Sequence, residues 1–408
     1  MVLKNRISTQ KPKFYEILLF LLIFSGPPRF RSRDPLSSFR GEIDWVVILN
    51  LIIWALGAIW VLKNFYIYIY KYKTLKFQST EKLCLLFAFS LSLGIFVSQA
   101  PLLTSFRVFQ IFIMSLFAYF WVRKFNLFTI RHLIIGYIVI GVVIILASIL
   151  KPELVYVPYT NKLRLRGDYI ANAGAIGLIG LILTLVNPPT KSKLVNLLLI
   201  IMFFYILLSS LTRTAYVGLI LFFFLLLFNG DKKIYTLRWI RNILIVCLPV
   251  IFIYHREIFE FLIREENSIS TLSDRTNVWS YIIYKVWEIS PFIGLGFAAE
   301  RLFTFEVNTG VGTAHSSFIA VFFGGGVIGS FWYIFLLYNM LTYVLRLFKY
   351  IKNPIAFSLI SIFSSIILIG VTSEEIVMAT PSGFTFYMLV SLLPSACNYI
   401  QNENYSYS

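Results

Sequence analysis

AHSSFIAVFFGGGVIGS, residues 314–330, sets a histidine where a long polar stretch, residues 255–314, gives way to an apolar run. That run is long enough to cross a bilayer, which takes ~20 predominantly apolar residues. His315 therefore falls at the head-group plane, where chemistry on a lipid-linked substrate has to happen. Gly324, Gly325, Gly326 and Gly329 predict a break inside the span, because glycines let a helix backbone bend and let another chain or a ligand come close.

The rest of the chain repeats this kind of run. It has 408 residues, of which 58% are hydrophobic and 13% charged, with mean hydropathy +0.79. A water-soluble core cannot hide so much apolar surface, and solid runs differ from the short alternating segments of a β-barrel. The fold class is all-α: a polytopic helical membrane protein of about twelve transmembrane helices. The spans read 14–30, 43–62, 83–100, 102–122, 133–150, 170–187, 194–210, 215–229, 242–254, 316–345, 355–371 and 383–399. Residues 1–408 form one membrane domain, with 255–314 as a large loop carrying amphipathic helices between spans nine and ten. The first run follows basic residues as a signal peptide would. Gly26-Pro27-Pro28-Arg29 offers no small-residue cleavage site, however, and the run counts as span one.

Lys and Arg give the orientation, since they accumulate in cytoplasmic connectors. With the N-terminus inside, the inner connectors hold 21 Lys/Arg and the outer ones 14, or 9 once the long 255–314 loop is discounted. The Arg29, Arg31, Arg33, Arg40 cluster runs against this assignment. The outer side gathers Arg164, Arg166, Arg213, Arg275, His255 and His315, whereas the inner connectors are rich in lysine. Net charge is +17, but the charges are scattered, with no basic cluster or nucleic-acid-binding motif, so no nucleic-acid partner is expected. Cys84, Cys247 and Cys397 lie in apolar runs and read as small buried hydrophobes.

Five places could carry chemistry. Arg213, in SSLTRTAYVGL, occupies a polar break between two apolar runs, where its guanidinium fork suits phosphate oxygens; snorkelling to the interface is the other reading. Arg275 opens the pattern SDRTNVWSYIIYKVWEI, with Ser273 as N-cap and Asp274 in the first turn. Val278, Trp279, Ile282, Ile283, Val286 and Trp287 make one apolar stripe, and Arg275 lies one turn from Trp279, so a helix on the bilayer surface aims it at head groups; a solvated arginine remains the alternative. Arg166, in RLRGDYIANAG, precedes a span entered through Gly167 and Asn172, and Arg164 and Arg166 share one side of an extended segment. His315 is the histidine at an outer helix start. Nearby arginines favour its neutral form, which a general base needs. Glu374 and Glu375 face outward and could orient that histidine or hold an acceptor sugar, or be ordinary loop carboxylates. No metal-ligand cluster, phosphate-binding glycine loop or nucleophile elbow is present in the sequence, so neither metal nor cofactor is expected.

Together these strings resemble the O-antigen ligase and polymerase superfamily of bacterial membrane glycosyltransferases, of the GT-C class. His315-Ser316 followed by Gly326 and Gly329 is similar to the ligase signature in which His precedes Asn, Ser or Gln. SSLTRTA at 209–215 resembles the family's Ser-Arg-Thr/Gly-Ala segment, with Thr212 where members often have serine. SDRTNVWSYIIYKVWEISPFIGLGF at 273–297 resembles the Gly-Arg…Trp…Pro-x-x-Gly-x-Gly stretch of the large periplasmic loop. The similarity covers residues 160–345.

The resemblance implies transfer of a glycan from undecaprenyl diphosphate to an acceptor hydroxyl at the periplasmic face of the inner membrane, without metal or nucleotide. Arg213 and Arg275, with Arg166, would hold the diphosphate. His315 would act on the acceptor hydroxyl, with Ser316, Asn172 and Glu374 in support. If lipid A-core accepts the glycan the enzyme is a ligase; if another lipid-linked repeat unit accepts it, a polymerase. A small-anion transporter, as some relatives have been named for inorganic carbon, is the reading from another class. Arg107, inside span four, has no assigned role.

Overall fold

The computed structural model describes residues 11–25, 44–71, 75–159, 162–165, 173–228, 275–300, 302–303, 314–373 and 376–405. The apolar runs fold into helices that start where the sequence supplies a cap. Helix α1 covers Phe14–Ser25, and α2 covers Trp45–Tyr66, its first amides Val46 and Val47 donating to the Asp44 carboxylate at 2.7 and 2.9 Å. Helix α3, Ser79–Leu93, opens on a capping box in which the Gln78 amide donates to Glu81. Proline, whose missing N–H costs nothing in a first turn, begins α4, Pro101–Phe125. Helix α5, Phe128–Leu150, follows directly, then a single turn, α6, Pro152–Val155.

Next comes an antiparallel two-stranded ribbon, β1 Tyr156–Tyr159 and β2 Lys162–Leu165, with Tyr156 opposite Leu165 and Val157 opposite Arg164. The remaining described helices are α7 Ala173–Val186, α8 Lys193–Ser209, α9 Arg213–Phe228, α10 Arg275–Ile289, α11 Ser317–Phe348, α12 Pro354–Thr372 and α13 Pro381–Tyr405. Among the described residues the fold is all-α apart from the ribbon. Among the described residues, six helices are long and apolar enough to cross a membrane and four more are shorter and apolar. The protein is thus multi-pass, while the full set of twelve spans is not shown; the ninth, 242–254, lies outside the described residues.

Three packed helix pairs, α3–α11, α7–α8 and α9–α12, run antiparallel and define the two ends of the bundle. Helix α3 lies along α11, with Ser79 bonded to Asn339 at one end and Gly94 against Gly324 towards the other. Helix α7 lies along α8 through Gly180 against Phe203, Gly177 against Leu207 and Gly174 against Thr212. Helices α9 and α12 meet at Thr214–Thr372 and at Phe222–Phe357. One end therefore gathers the start of α3, the end of α4 and the start of α5. The other gathers the end of α5, the ribbon, the α8–α9 turn, and the starts of α7 and α11.

The expected break in α11 falls at Gly326, whose φ of 58° and ψ of −150° leave the helical region. The chain's own 290–297 loop fills it. Val327 N and Ile328 N donate to Pro291 O and Phe292 O at 2.9 and 3.1 Å, and Leu295 N donates to Phe323 O at 2.7 Å. A Cβ on Gly326 would stand 2.5 Å from the Pro291 oxygen. Gly324 and Gly326 serve close backbone packing, and at Gly326 the loop satisfies the amides freed by the break.

Candidate functional site

The first element is the turn that joins α8 to α9. Leu211 adopts φ 47°, a left-handed conformation unfavourable for a branched residue, so the turn has to be held by its surroundings. Ser210 Oγ donates to Leu207 O at 2.7 Å, and Tyr216 OH reaches back to Leu208 O at 2.7 Å. From the ribbon, Arg164 Nε donates to Ser210 O at 2.8 Å and its Nη2 to Thr212 Oγ1 at 3.4 Å. Gly174 presses on the same residues from α7, where a Cβ would meet Thr212 at 2.7 Å.

What the turn presents is Arg213, the first residue of α9. A helix start offers unpaired amides and the positive end of the backbone dipole, both favourable to an anion. Arg213 Nη2 is buried and has no hydrogen-bond partner among the described residues. A buried charged donor of this kind is costly until it meets an acceptor.

The second element is the entry to α11. His315 itself is left-handed, with φ 48°, and lies between two buried neighbours, Ala314 and Ser316. Ser316 occupies the N-cap position without a side-chain cap bond, while Ser317 Oγ donates to Ser373 O at 2.7 Å. Thr372, just before Ser373, shares a 2.6 Å hydrogen bond with Thr214 of α9. The Arg213 helix start and the His315 segment are thereby tied together through the end of α12.

The third element is α10. Arg275 is its first residue, as the sequence indicated; its side chain lies outside the described residues. One turn on, the indole N–H of Trp279 donates to Ala314 O at 2.6 Å, which places the opening of α10 beside the residue preceding His315. The expected apolar stripe divides into two parts. Val278, Ile282 and Val286 are buried against Ala314, Ala320 and Phe323, but Ile283 and Trp287 point outward, 36% and 58% exposed. Helix α10 packs on one narrow face, and its flanking apolar side chains are left for an apolar surrounding. They fit a helix lying at a membrane surface.

The segments bearing Arg213, Arg275 and His315 thus meet at one end of the bundle. Arg166, Asn172, Glu374, Ser273, Asp274, His255, Cys247 and the Arg29–Arg40 cluster lie outside the described residues. Arg164 is half-buried and bound to the turn, and the alternation with Leu165, 1% exposed, matches the extended reading. Arg107 is held on α4 by Gln110 Oε1 at 3.0 Å. His132 is buried at the opposite end, accepting from the Trp121 indole at 3.2 Å. Cys84 and Cys397 are buried free thiols. Sequence reasoning missed Ser317, Thr372 and Ser373, and also Glu300. Glu300 is a buried carboxylate between Ala299 and Phe303, which pack with Val278 and Ala314. Its signal was present: a lone acid in the apolar run GFAAERLF.

These features define a multi-pass helical membrane protein whose arginine- and histidine-bearing segments meet at one end. Residues 197–334 match the family model described as O-antigen ligase. The matched stretch, about a third of the chain, runs from α8 into α11 and contains Arg213, Arg275 and His315. This match supports the O-antigen ligase superfamily that the motifs resembled, whose members are glycosyltransferase-like membrane enzymes. Among curated proteins, none matched the chain.

Proposed function

We propose that the protein is an O-antigen ligase-type glycosyltransferase. It moves a glycan from undecaprenyl diphosphate to a hydroxyl of lipid A-core, at the periplasmic face of the bacterial inner membrane. The observation that carries this reading is the pair of side-chain hydrogen bonds, Thr214 to Thr372 and Ser317 to Ser373, that ties the Arg213 helix start to the His315 segment.

Diphosphate is already a good leaving group, so the enzyme has to hold it and stabilise the charge that develops on it. In this reading Arg213 does so with Arg275 and Arg166, each charge-assisted hydrogen bond contributing ~1.5–3 kcal/mol. The acceptor oxygen attacks the anomeric carbon and the bond from that carbon to the phosphate oxygen breaks, its electron pair leaving with the diphosphate. The hydroxyl proton passes to a neutral His315 imidazole, a step worth typically ~10²–10⁴-fold. Ser316, Asn172 and Glu374 stand as acceptor-side or supporting residues, and neither metal nor cofactor enters these steps.

A polymerase shares this chemistry and differs in its acceptor, another lipid-linked repeat unit. Transport of a small anion would use a helix broken around its ligand. Helix α11 is broken at Gly326, yet the backbone groups freed there bond the 291–295 loop of the same chain. The deciding experiment is the lipopolysaccharide ladder, with the lipid-linked intermediates, in a deletion strain. Loss of all capped lipopolysaccharide, with long chains retained on the carrier, is the expected result. Single-repeat capping would make the protein a polymerase, and a normal ladder with defective solute uptake would make it a transporter.

A further inference from the structure

We propose that Arg164 is a positioning residue for Arg213: carried on the β1–β2 ribbon, it clamps the α8–α9 turn and fixes the anion-binding start of α9. This rests on the reading of Arg213 as a ligand of the donor diphosphate.

The turn needs an external clamp because Leu211 is held left-handed within it. The Arg164 guanidinium grips the chain on both sides of that residue, through the Ser210 carbonyl at 2.8 Å and the Thr212 hydroxyl at 3.4 Å. A planar fork can serve two such acceptors at once, whereas a lysine ammonium is a point donor on a flexible stem. The ribbon is fixed independently of this grip. Leu165, the residue after Arg164, is 1% exposed, and Tyr156, opposite Leu165 in the ladder, shares a 2.7 Å hydroxyl bond with Tyr205 of α8. One strand position is thus packed and bonded to α8, and its neighbour bonds the turn that ends α8. Thr212, the second acceptor, immediately precedes Arg213 and is the residue whose carbonyl receives the Ala215 and Tyr216 amides at 3.0 and 3.2 Å. Holding Thr212 holds the first turn of α9, and with it the direction in which Arg213 leaves the helix.

The test uses the full-length chain in lipid nanodiscs, with undecaprenyl diphosphate and undecaprenol as paired probes. Arg164→Lys is expected to weaken undecaprenyl diphosphate binding by about tenfold, and Thr212→Val, which keeps the size and removes one acceptor, by about threefold. Undecaprenol, which has the tail but no phosphate, should bind both variants as it binds the wild type. A merely structural arginine would lower the fraction of active protein and leave both affinities unchanged. Should both variants keep wild-type affinity for undecaprenyl diphosphate while Arg213→Ala loses it, the clamp is wrong. Equal losses for both probes would also overturn it, since the tail groove would then be what changed. Wild-type affinity in Arg213→Ala would instead overturn the reading of Arg213 itself. If Arg164→Lys does not accumulate, Thr212→Val decides alone.

Discussion

The two ends of the bundle treat buried charge in opposite ways. At the end holding the start of α1 and the end of α4, Glu16 is 2% exposed and fully provided for. Lys124 Nζ stands 2.6 Å from it, and the Trp60 indole and the Lys13 amide donate at 3.2 and 3.1 Å. Glu81 nearby accepts from the Gln78 amide and lies 3.7 Å from Arg123. At the other end, Arg213 Nη2 is buried with no partner among the described residues. Among the described non-glycine residues, the backbone is left-handed there at Leu211, Ala298 and His315, and at the first end at Asn126. A fold that pairs its buried carboxylates at one end and leaves a buried guanidinium nitrogen unmet at the other treats the two ends differently. The first end holds helices together. The second is the end at which the proposed function places the substrate.

The strongest way to break this contrast is to remove His315. His315→Ala should cut glycan transfer by about 10²–10⁴-fold, measured with lipid-linked donor in membranes at matched protein abundance. Because φ at this position is 48°, His315→Asn is the companion variant: asparagine tolerates the left-handed region better than alanine. Retained transfer in both would remove the imidazole from the mechanism and reduce the strained entry of α11 to a packing device. Arg213→Lys sharpens the same contrast at the anion side. A point charge cannot reproduce the guanidinium fork, and a loss of about 10-fold or more in transfer is expected. Wild-type activity would mean that this arginine only anchors α9 at the interface.

How much of this was legible beforehand depends on how local the signal was. The break at Gly326 could be read because three successive glycines interrupt an apolar run. The helix starting at Arg275 could be read from its caps and spacing. The ribbon could be read only in part: alternation marked an extended segment around Arg164, but each strand has four residues and β1 contains Pro158, so nothing in so short a stretch announced the pairing. The apolar stripe of the Arg275 helix could be read too, but not which of its residues face protein and which, like Ile283 and Trp287, face outward, because periodicity reports an apolar surrounding and lipid and protein interior are both apolar. The ties that assemble the site, Trp279 to Ala314, Ser317 to Ser373 and Thr214 to Thr372, join residues 35, 56 and 158 positions apart. Ordinary serines and threonines at helix ends announce no such partners.

The smallest expected effect on chemistry comes from the neutralised end, and it tests the contrast from the other side. Lys124→Met removes the cation that faces Glu16 while keeping the length of the aliphatic stem. Glu16 then keeps its indole and amide donors but loses its counter-charge in a nearly closed site, which costs about 2–3 kcal/mol of stability for a pair that is only partly screened. The purified protein should therefore unfold at a lower temperature, while transfer per folded molecule stays within about twofold of wild type, since mutations this far apart with no shared partners act independently. A variant that kept its unfolding temperature but lost transfer would place Lys124 in the working part of the molecule. The division of labour between the two ends would then be wrong.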